Sequence, residues 1–340
     1  MPVSDVKRFK KVKRKFYKNK LKVAFIADDI KTLNSFGIHH NATFGLMLAS
    51  QELLNKKNTR GVLLLASSND LKIKQGKVYG MFDEVFVHRG SRNYLKVLSR
   101  KEYLLDTLDV IFLRKDPPFD QSYLILSYIL SLASCKTLIL NDPHGVLRAN
   151  EKLYACNFPE LMPPTLVSSD KKEILQFLQK YKDIVIKPLF YKGGIGVEHL
   201  KLKDENVSKL ITDAIKKYSI LMAQKYLSVV KQGDKRILLL DGKILGAILR
   251  IPKKGEFRAH ISRGAKYKKL KLSKRDLYVC NKLKPYLKRD GLFLTGVDLI
   301  GKYLIEINVT CPANIVEASE CYKQDFAKKI ILEALRKVNH

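Results

Sequence analysis

No stretch of this sequence approaches the ~18 consecutive apolar residues that a membrane-spanning helix requires. The best run, Tyr123 to Cys135, is broken by Ser127, Ser131 and Ser134, so neither a span nor a membrane partner is expected. Cysteine is scarce: Cys135, Cys156, Cys280, Cys311 and Cys321 make five, an odd number, with no CxxC pair. That pattern offers neither a disulfide framework nor a zinc site, and it reads as reduced thiols in a cytoplasmic protein. No apolar signal segment opens the chain. Acids are few, 33 against 64 Lys+Arg, for a formal net charge of +31. The aromatics are scattered without a stacking motif, so nucleic acid is not expected as a partner.

Residues 1–20 carry nine of the basic residues and one acid, Asp5. They read as a basic, disordered extension. The remaining excess of positive charge is spread over the whole chain. It fits a lysine-rich composition with solvated charges, or the steering of small polyanionic substrates, which needs no dedicated patch. The 340 residues, 46% hydrophobic, are enough for two to three packed units.

Short buried-strand runs appear at 23–27, where Asp28-Asp29 follows the strand end, at 62–66, at 85–87, at 110–113 and at 137–140. They alternate with helical spacing at 43–57 and 122–134, which predicts an α/β unit with a parallel, doubly wound sheet over 21–147. A helix is expected at 146–157 and another at 170–181. Then come the strand Ile184 to Pro188, a glycine-rich turn at 192–197, a helix at 206–217 and a strand at 219–224. This second unit, 148–225, is α+β. In the third, 226–340, Asp241-Gly242 between apolar runs signals a hairpin. A polar, mobile loop is expected at 253–269, helices at 274–288 and 322–337, and two strands around Gly301.

Three constellations carry chemistry. Glu306 and Asn308 alternate with Ile305 and Ile307 on one strand, so the polar pair shares a face and the isoleucines point to a core. Asp298 joins that face if the connection near Gly301 has an odd number of residues or contains a bulge. Two carboxylates and an amide oxygen suit a hard cation such as Mg²⁺, although the same pattern also describes an exposed polar sheet face. Lys187 stands at a strand's rim just before Gly193, Gly194 and Gly196, whose backbone N–H groups can approach phosphate closely; Lys152, opening a helical stretch, is a second candidate phosphate contact, although a solvated helix lysine reads the same way. Arg114, Arg236, Arg250 and Arg258 could hold carboxylates bidentately. His39-His40 reads as a loop pair and Cys311 as a small filler.

Six segments are recognisable together: LRKDPPFD (113–120), LRANEKLY (147–154), DIVIKP (183–188), GDKRILLLDGK (233–243), LRIP (249–252) and GVDLIGKYLIEINVTCP (296–312). In sequence and order they resemble the prokaryotic glutathione synthetases of the ATP-grasp superfamily. The resemblance implies an N-terminal Rossmann-like domain followed by two ATP-grasp subdomains with ATP between them. It implies Lys152, Lys187, Gly193, Gly194 and Asp234 at ATP, with Gln224, Lys225, Tyr226 and Leu227 as the adenine-side hinge. It places Arg114, Arg236, Arg250 and Arg258 near the peptide substrate and the transferred phosphate, the last three as catalytic groups. It assigns Asp298, Glu306 and Asn308 to Mg²⁺, with Mn²⁺ as the alternative metal. It implies ligation of γ-glutamylcysteine to glycine through an acyl phosphate, and a homotetramer. Three segments depart from the family pattern: Phe190-Tyr191-Lys192, Phe257 to Ala265, and Cys311-Pro312-Ala313. They keep two alternatives open, a different acceptor amine or a weakly active scaffold that binds polyanions.

Overall fold

The runs LKVAFIA and GVLLLAS carry almost no polar side chain, so both faces of each strand must be covered. A computed structural model describes residues 20–35, 41–56, 60–89, 94–133 and 136–338. Residues 1–19 of the expected extension, His39-His40 and Cys135 lie outside them. The first sheet contains β1 (Leu21–Ala27), β2 (Gly61–Ser67), β3 (Leu71–Lys74), β4 (Lys77–Val87), β5 (Leu95–Leu104), β6 (Val110–Leu113) and β7 (Leu138–Leu140). Strand β1 lies parallel between β2 and β6, and β7 continues the parallel part. The sheet is nevertheless mixed, which corrects the expectation of a purely parallel one: β4 joins β2 antiparallel, and β3 and β5 flank β4.

The second sheet is antiparallel, built from β8 (Thr165–Ser168), β9 (Asp183–Pro188), β10 (Glu198–Lys201) and β11 (Leu221–Lys225) in the order β10-β9-β11-β8. The third, also antiparallel, holds β12 (Asp234–Leu240), β13 (Lys243–Ile251), β14 (Lys266–Lys269), β15 (Leu294–Ile300) and β16 (Tyr303–Asn308) in the order β14-β13-β12-β15-β16. Asp241-Gly242 forms the β12–β13 turn, with both residues at positive φ.

Two helical expectations and one loop expectation need correction. The 146–157 stretch splits into a helix over Pro143–Arg148 and a 3₁₀ turn over Tyr154–Asn157. The first is capped by the Asp142 carboxylate, which accepts from His144 and Gly145 N–H, and Lys152 lies in the turn between the two. The end of the chain forms two helices, Ile315–Tyr322 and Phe326–Val338, parted where Lys323 takes φ 52°. The end of the supposed loop at 253–269 pairs with β13 as β14.

The first and third sheets share cores: Ala24, Ile26 and Leu64 pack in one cluster with Ile237, Val297 and Ile307, and Phe25 and Phe112 in another with Phe326 and Ile331. Close backbone approach helps to fix that junction. A Cβ on Gly145 would lie 1.8 Å from the Asp290 carbonyl oxygen, and the buried Asn141 amide bonds Leu294 and Val309 carbonyls and Leu294 N–H. The second sheet encloses its own core of Ile174, Leu178, Ile184, Ile186, Ile211 and Leu221. Of the helices, none is long and apolar enough to cross a membrane among the described residues.

Candidate active site

A cleft of about 920 Å³ is lined by residues of the second and third sheets and by Asp28 and Arg114, just past the ends of β1 and β6. Its polar floor follows from register. Asp298 on β15 pairs directly with Glu306 on β16 and with Arg236 on β12, and Gly296 pairs with Asn308. A bulge between Asp298 and Leu299 sets this register. Asp298, Glu306 and Asn308 therefore share a face, as directly opposed residues do in an antiparallel pair. Ile307 is in the core as expected, but Ile305 is turned by the bulge to line the cleft with Val185 and Ile300. Those three give the cleft an apolar wall.

Arg236 and Arg250 are buried on the same floor. Arg236 grips Asp298 through Nε at 2.5 Å and Nη2 at 2.7 Å. Arg250 grips Asp234 bidentately at 2.7 Å and reaches Asp298 at 3.0 Å. Burial pushes both carboxyls up, but the two guanidiniums hold Asp298 well below the usual carboxylate range. Asp234, with burial as the larger influence, is pushed up to about 6. Arg114 lies apart from this pair, donating to Thr43 Oγ1 and the Pro312 carbonyl.

These residues fit a hard divalent cation. Asn308 Nδ2 donates to the Gly296 carbonyl and to Asp298, which leaves the amide oxygen as the donor for a metal. The Glu306 carboxylate has an ion pair with Lys152 at 3.8 Å, and Asp298 is held in the ionised form a ligand needs.

Lys152 and Lys187 converge from opposite sides. Lys187 is half-buried and donates to Gln224 Oε1 at 2.6 Å, and Gln224 donates in turn to Thr165 Oγ1. Burial, with Lys152 adding to it, lowers the Lys187 amine to about 8 against the opposing pull of Glu306. Lys152 donates to the Tyr191 carbonyl at 2.8 Å. Its backbone is set by Glu151, which the sequence reading passed over. The Glu151 carboxylate accepts from Val309 N–H, Thr310 N–H and the Thr310 hydroxyl, stapling the Lys152 turn to the end of β16. Only its place beside Lys152 could have singled it out.

At the hinge, Lys225, Tyr226 and Leu227 line the cleft. The Tyr226 ring stacks on His199 at 3.9 Å, and His199 is tied to Asp183. The glycine turn covers the other end, with Gly193 and Gly194 at φ 65° and 71°. Arg258 passes so close over Gly194 that a Cβ there would meet its Cδ at 2.7 Å. Three further residues of the cleft were not singled out as site residues in the sequence: Asp116, His260 and Arg263. Burial and the neighbouring Arg250 and Arg236 lower the His260 imidazole to about 4, so it is neutral at physiological pH. Cys311 borders the cleft, its Sγ 3.4 Å from the Arg114 carbonyl, and burial pushes its thiol well up.

Two lysines, a carboxylate-and-amide face and buried arginines meet in one cleft, a set of groups with the charges that phosphoryl transfer to a carboxylate calls for. Comparison with known proteins agrees. Residues 21–147 match the N-terminal domain of prokaryotic glutathione synthetase, and residues 151–323 match its ATP-grasp domain. A glutathione synthetase of Mesorhizobium japonicum is 34% identical over 310 residues, covering 91% of this chain and 96% of its own length. That of Coxiella burnetii is 35% identical over 314 residues, covering 92% and 95%. The solved structure of D-cycloserine synthetase DcsG aligns with a TM-score of 0.64 at 14% identity, over 92% of this chain and 99% of that one, which shows the shared ATP-grasp fold. With both halves matched in order along nearly the whole described chain, the protein belongs to the prokaryotic glutathione synthetase family.

Proposed function

We propose that the chain joins the cysteinyl carboxylate of γ-glutamylcysteine to glycine at the expense of ATP. The observation that carries this reading is the convergence of Lys152, Lys187, Asp298, Glu306 and Asn308 in one cleft with Arg236 and Arg250. In the first step a carboxylate oxygen attacks the γ-phosphorus and ADP leaves. In the second the glycine nitrogen attacks the acyl carbon, the C–O bond to phosphate breaks, and inorganic phosphate leaves.

Lys187 and Lys152 receive the phosphate tail, with the glycine turn above it. Gln224 holds Lys187 in place, and Lys225 to Leu227, with the Val185–Ile300–Ile305 wall, accommodate the base. Asp234 keeps Arg250 oriented. Arg236, Arg250 and Arg258 face the transferred phosphate, and Arg114 faces the peptide. Mg²⁺, held by Asp298, Glu306 and Asn308, supplies charge neutralisation to the phosphates when bound; Mn²⁺ suits the same donors. The family resemblance favours a homotetramer, and the cysteine pattern a cytoplasmic location.

The test is product identification. With Mg·ATP and γ-glutamylcysteine, mass spectrometry across a panel of amines is expected to show glutathione with glycine as the preferred acceptor. Product with another amine and none with glycine would overturn the acceptor assignment, the part that the Phe257 to Ala265 and Cys311 to Ala313 departures bear on.

Lys187 makes a second expectation. Its amine is lowered to about 8, below the value in the unfolded chain. The protonated form is therefore carried at a cost in stability below that pH, and the group's contribution to stability rises as pH climbs toward the ordinary lysine value. Phosphates beside it favour the charged form. Above the lowered pKa, nucleotide binding should therefore take up a proton and weaken with rising pH. Calorimetry in buffers of different ionisation enthalpy, about one unit below and above that value, measures the uptake. Its absence, or its persistence in Lys187→Met, would remove Lys187 from the phosphate site.

A further inference from the structure

Asn314 lines the cleft at the start of the helix Ile315–Tyr322. An asparagine in that place usually caps the helix by accepting from its first N–H groups. Among the described residues, the Asn314 side chain makes no capping bond. It turns instead to two buried charged groups. Arg250 Nη1 donates to Asn314 Oδ1 at 3.3 Å, and Asn314 Nδ2 donates to Glu317 Oε1 at 3.2 Å. Arg250, Asn314 and Glu317 are 4%, 8% and 2% exposed.

The order of the three groups fixes the amide. A guanidinium only donates and a carboxylate accepts, so the amide oxygen must face Arg250 and the nitrogen Glu317. A neutral group thus stands between Glu317 and Arg250. It keeps a third carboxylate away from a guanidinium that already serves Asp234 and Asp298. The donor count then matters. A guanidinium carries five N–H groups in one plane. Arg250 gives Nε and one Nη2 hydrogen to Asp234, the other Nη2 hydrogen to Asp298, and one Nη1 hydrogen to Asn314. Among the described residues that leaves the second Nη1 hydrogen for a ligand in the cleft, which Arg250 lines. Asn314 is the residue that steadies this nitrogen.

We propose that Asn314 is a positioning residue: it holds the Nη1 end of Arg250 so that the remaining N–H meets the phosphoryl group in transfer, and Glu317 fixes the amide that does so. The proposal rests on the phosphoryl-transfer reading above. A donor held in advance stabilises the charge that spreads over the phosphoryl oxygens. Its loosening should therefore fall on the transfer step rather than on binding of nucleotide or peptide.

Asn314 has φ 70°, a left-handed backbone that glycine adopts freely and asparagine tolerates. Were that conformation the only reason for an asparagine, Asn314→Gly would cost nothing. Asn314→Gly should instead stay folded, with thermal unfolding as the control, and lose about tenfold in kcat, the usual weight of one hydrogen bond to a charged group. KM for ATP and for γ-glutamylcysteine should change by less than about threefold. Glu317→Gln keeps an acceptor for Asn314 but no longer forces the amide's orientation, so its kcat should fall less. A second readout needs no turnover. ADP binding is measured by calorimetry with Mg²⁺ and γ-glutamylcysteine, with and without aluminium fluoride, which beside ADP mimics a phosphoryl group in transfer. The affinity gained with the fluoride should shrink about tenfold in Asn314→Gly, while ADP alone binds as in wild type. An unchanged kcat, an unchanged gain, or a loss confined to KM overturns the proposal. If wild type itself gains nothing from the fluoride, the phosphoryl-transfer reading fails and the proposal with it, a result distinct from a defect seen in the variant alone.

Discussion

Glu306→Gln is expected to lower kcat by about 10²–10³, the usual cost of removing one group that stabilises charge in a transition state. The substitution keeps size and hydrogen-bonding shape and removes one negative charge from the face shared with Asp298 and Asn308. It also ends the ion pair that sets Lys152 at 3.8 Å from this carboxylate. The metal requirement should move with the rate, so turnover against Mg²⁺ concentration is the measurement, with thermal unfolding as the control. Asn308→Asp should be milder, because a carboxylate still offers an oxygen to the cation. Folding should survive in both, since Ile307, and neither polar residue, is part of the core. Near-normal turnover and Mg²⁺ dependence in Glu306→Gln would remove this carboxylate from the metal site.

Arg250→Met should be the most damaging single change to stability among the site residues. Arg250 is 4% exposed, and it is the bidentate partner of Asp234 and a second partner of Asp298. Methionine fills much of the volume but leaves two carboxylates short of a cation in a buried place. Breaking a buried pair from one side typically costs about 3–5 kcal/mol. The sign of the pH dependence follows from Asp234. Burial already pushes its carboxyl up to about 6, above its unfolded value, and loss of Arg250 pushes it further. A carboxyl raised on folding lowers stability as pH increases through the folded pKa. The variant's deficit should therefore be smaller below that pKa, where Asp234 is neutral, and larger at neutral pH. Urea unfolding at both pH values measures this, and a deficit independent of pH would show that Asp234 is not the group left exposed to the loss.

The apolar strands were legible because burial on both faces leaves a continuous signature, as in β1, β2 and β6. Strand β5 was not: its residues are mostly exposed, so Lys96, Ser99, Arg100, Lys101 and Glu102 obscure the strand period. The helix expected over 146–157 failed because a turn at Ala149–Leu153 carries Glu151 into the site, and local propensity does not see the partner at Thr310. At the site itself, two-residue alternation was enough to place Glu306 beside Asn308. It could not place Ile305, because a bulge shifts one side chain and leaves no mark in the sequence. Nor could spacing pair Arg236 with Asp298, 62 positions apart; that contact exists only through the β12–β15 register. Arg263 went unmarked because its partner, at Gly193, is a backbone carbonyl, which every residue possesses.

The sulfur at the cleft's edge has a chemical consequence of its own. A thiol-bearing peptide bound in this cleft would share it with Cys311, and the oxidised forms of such a peptide are disulfides. Exchange with a disulfide requires a thiolate. Burial holds the Cys311 thiol protonated, and its Sγ is engaged with the Arg114 carbonyl at 3.4 Å. The protein can thus keep a cysteine next to a sulfur-bearing substrate without offering a nucleophile for mixed-disulfide formation, which leaves catalysis insulated from the redox state of the molecule it makes.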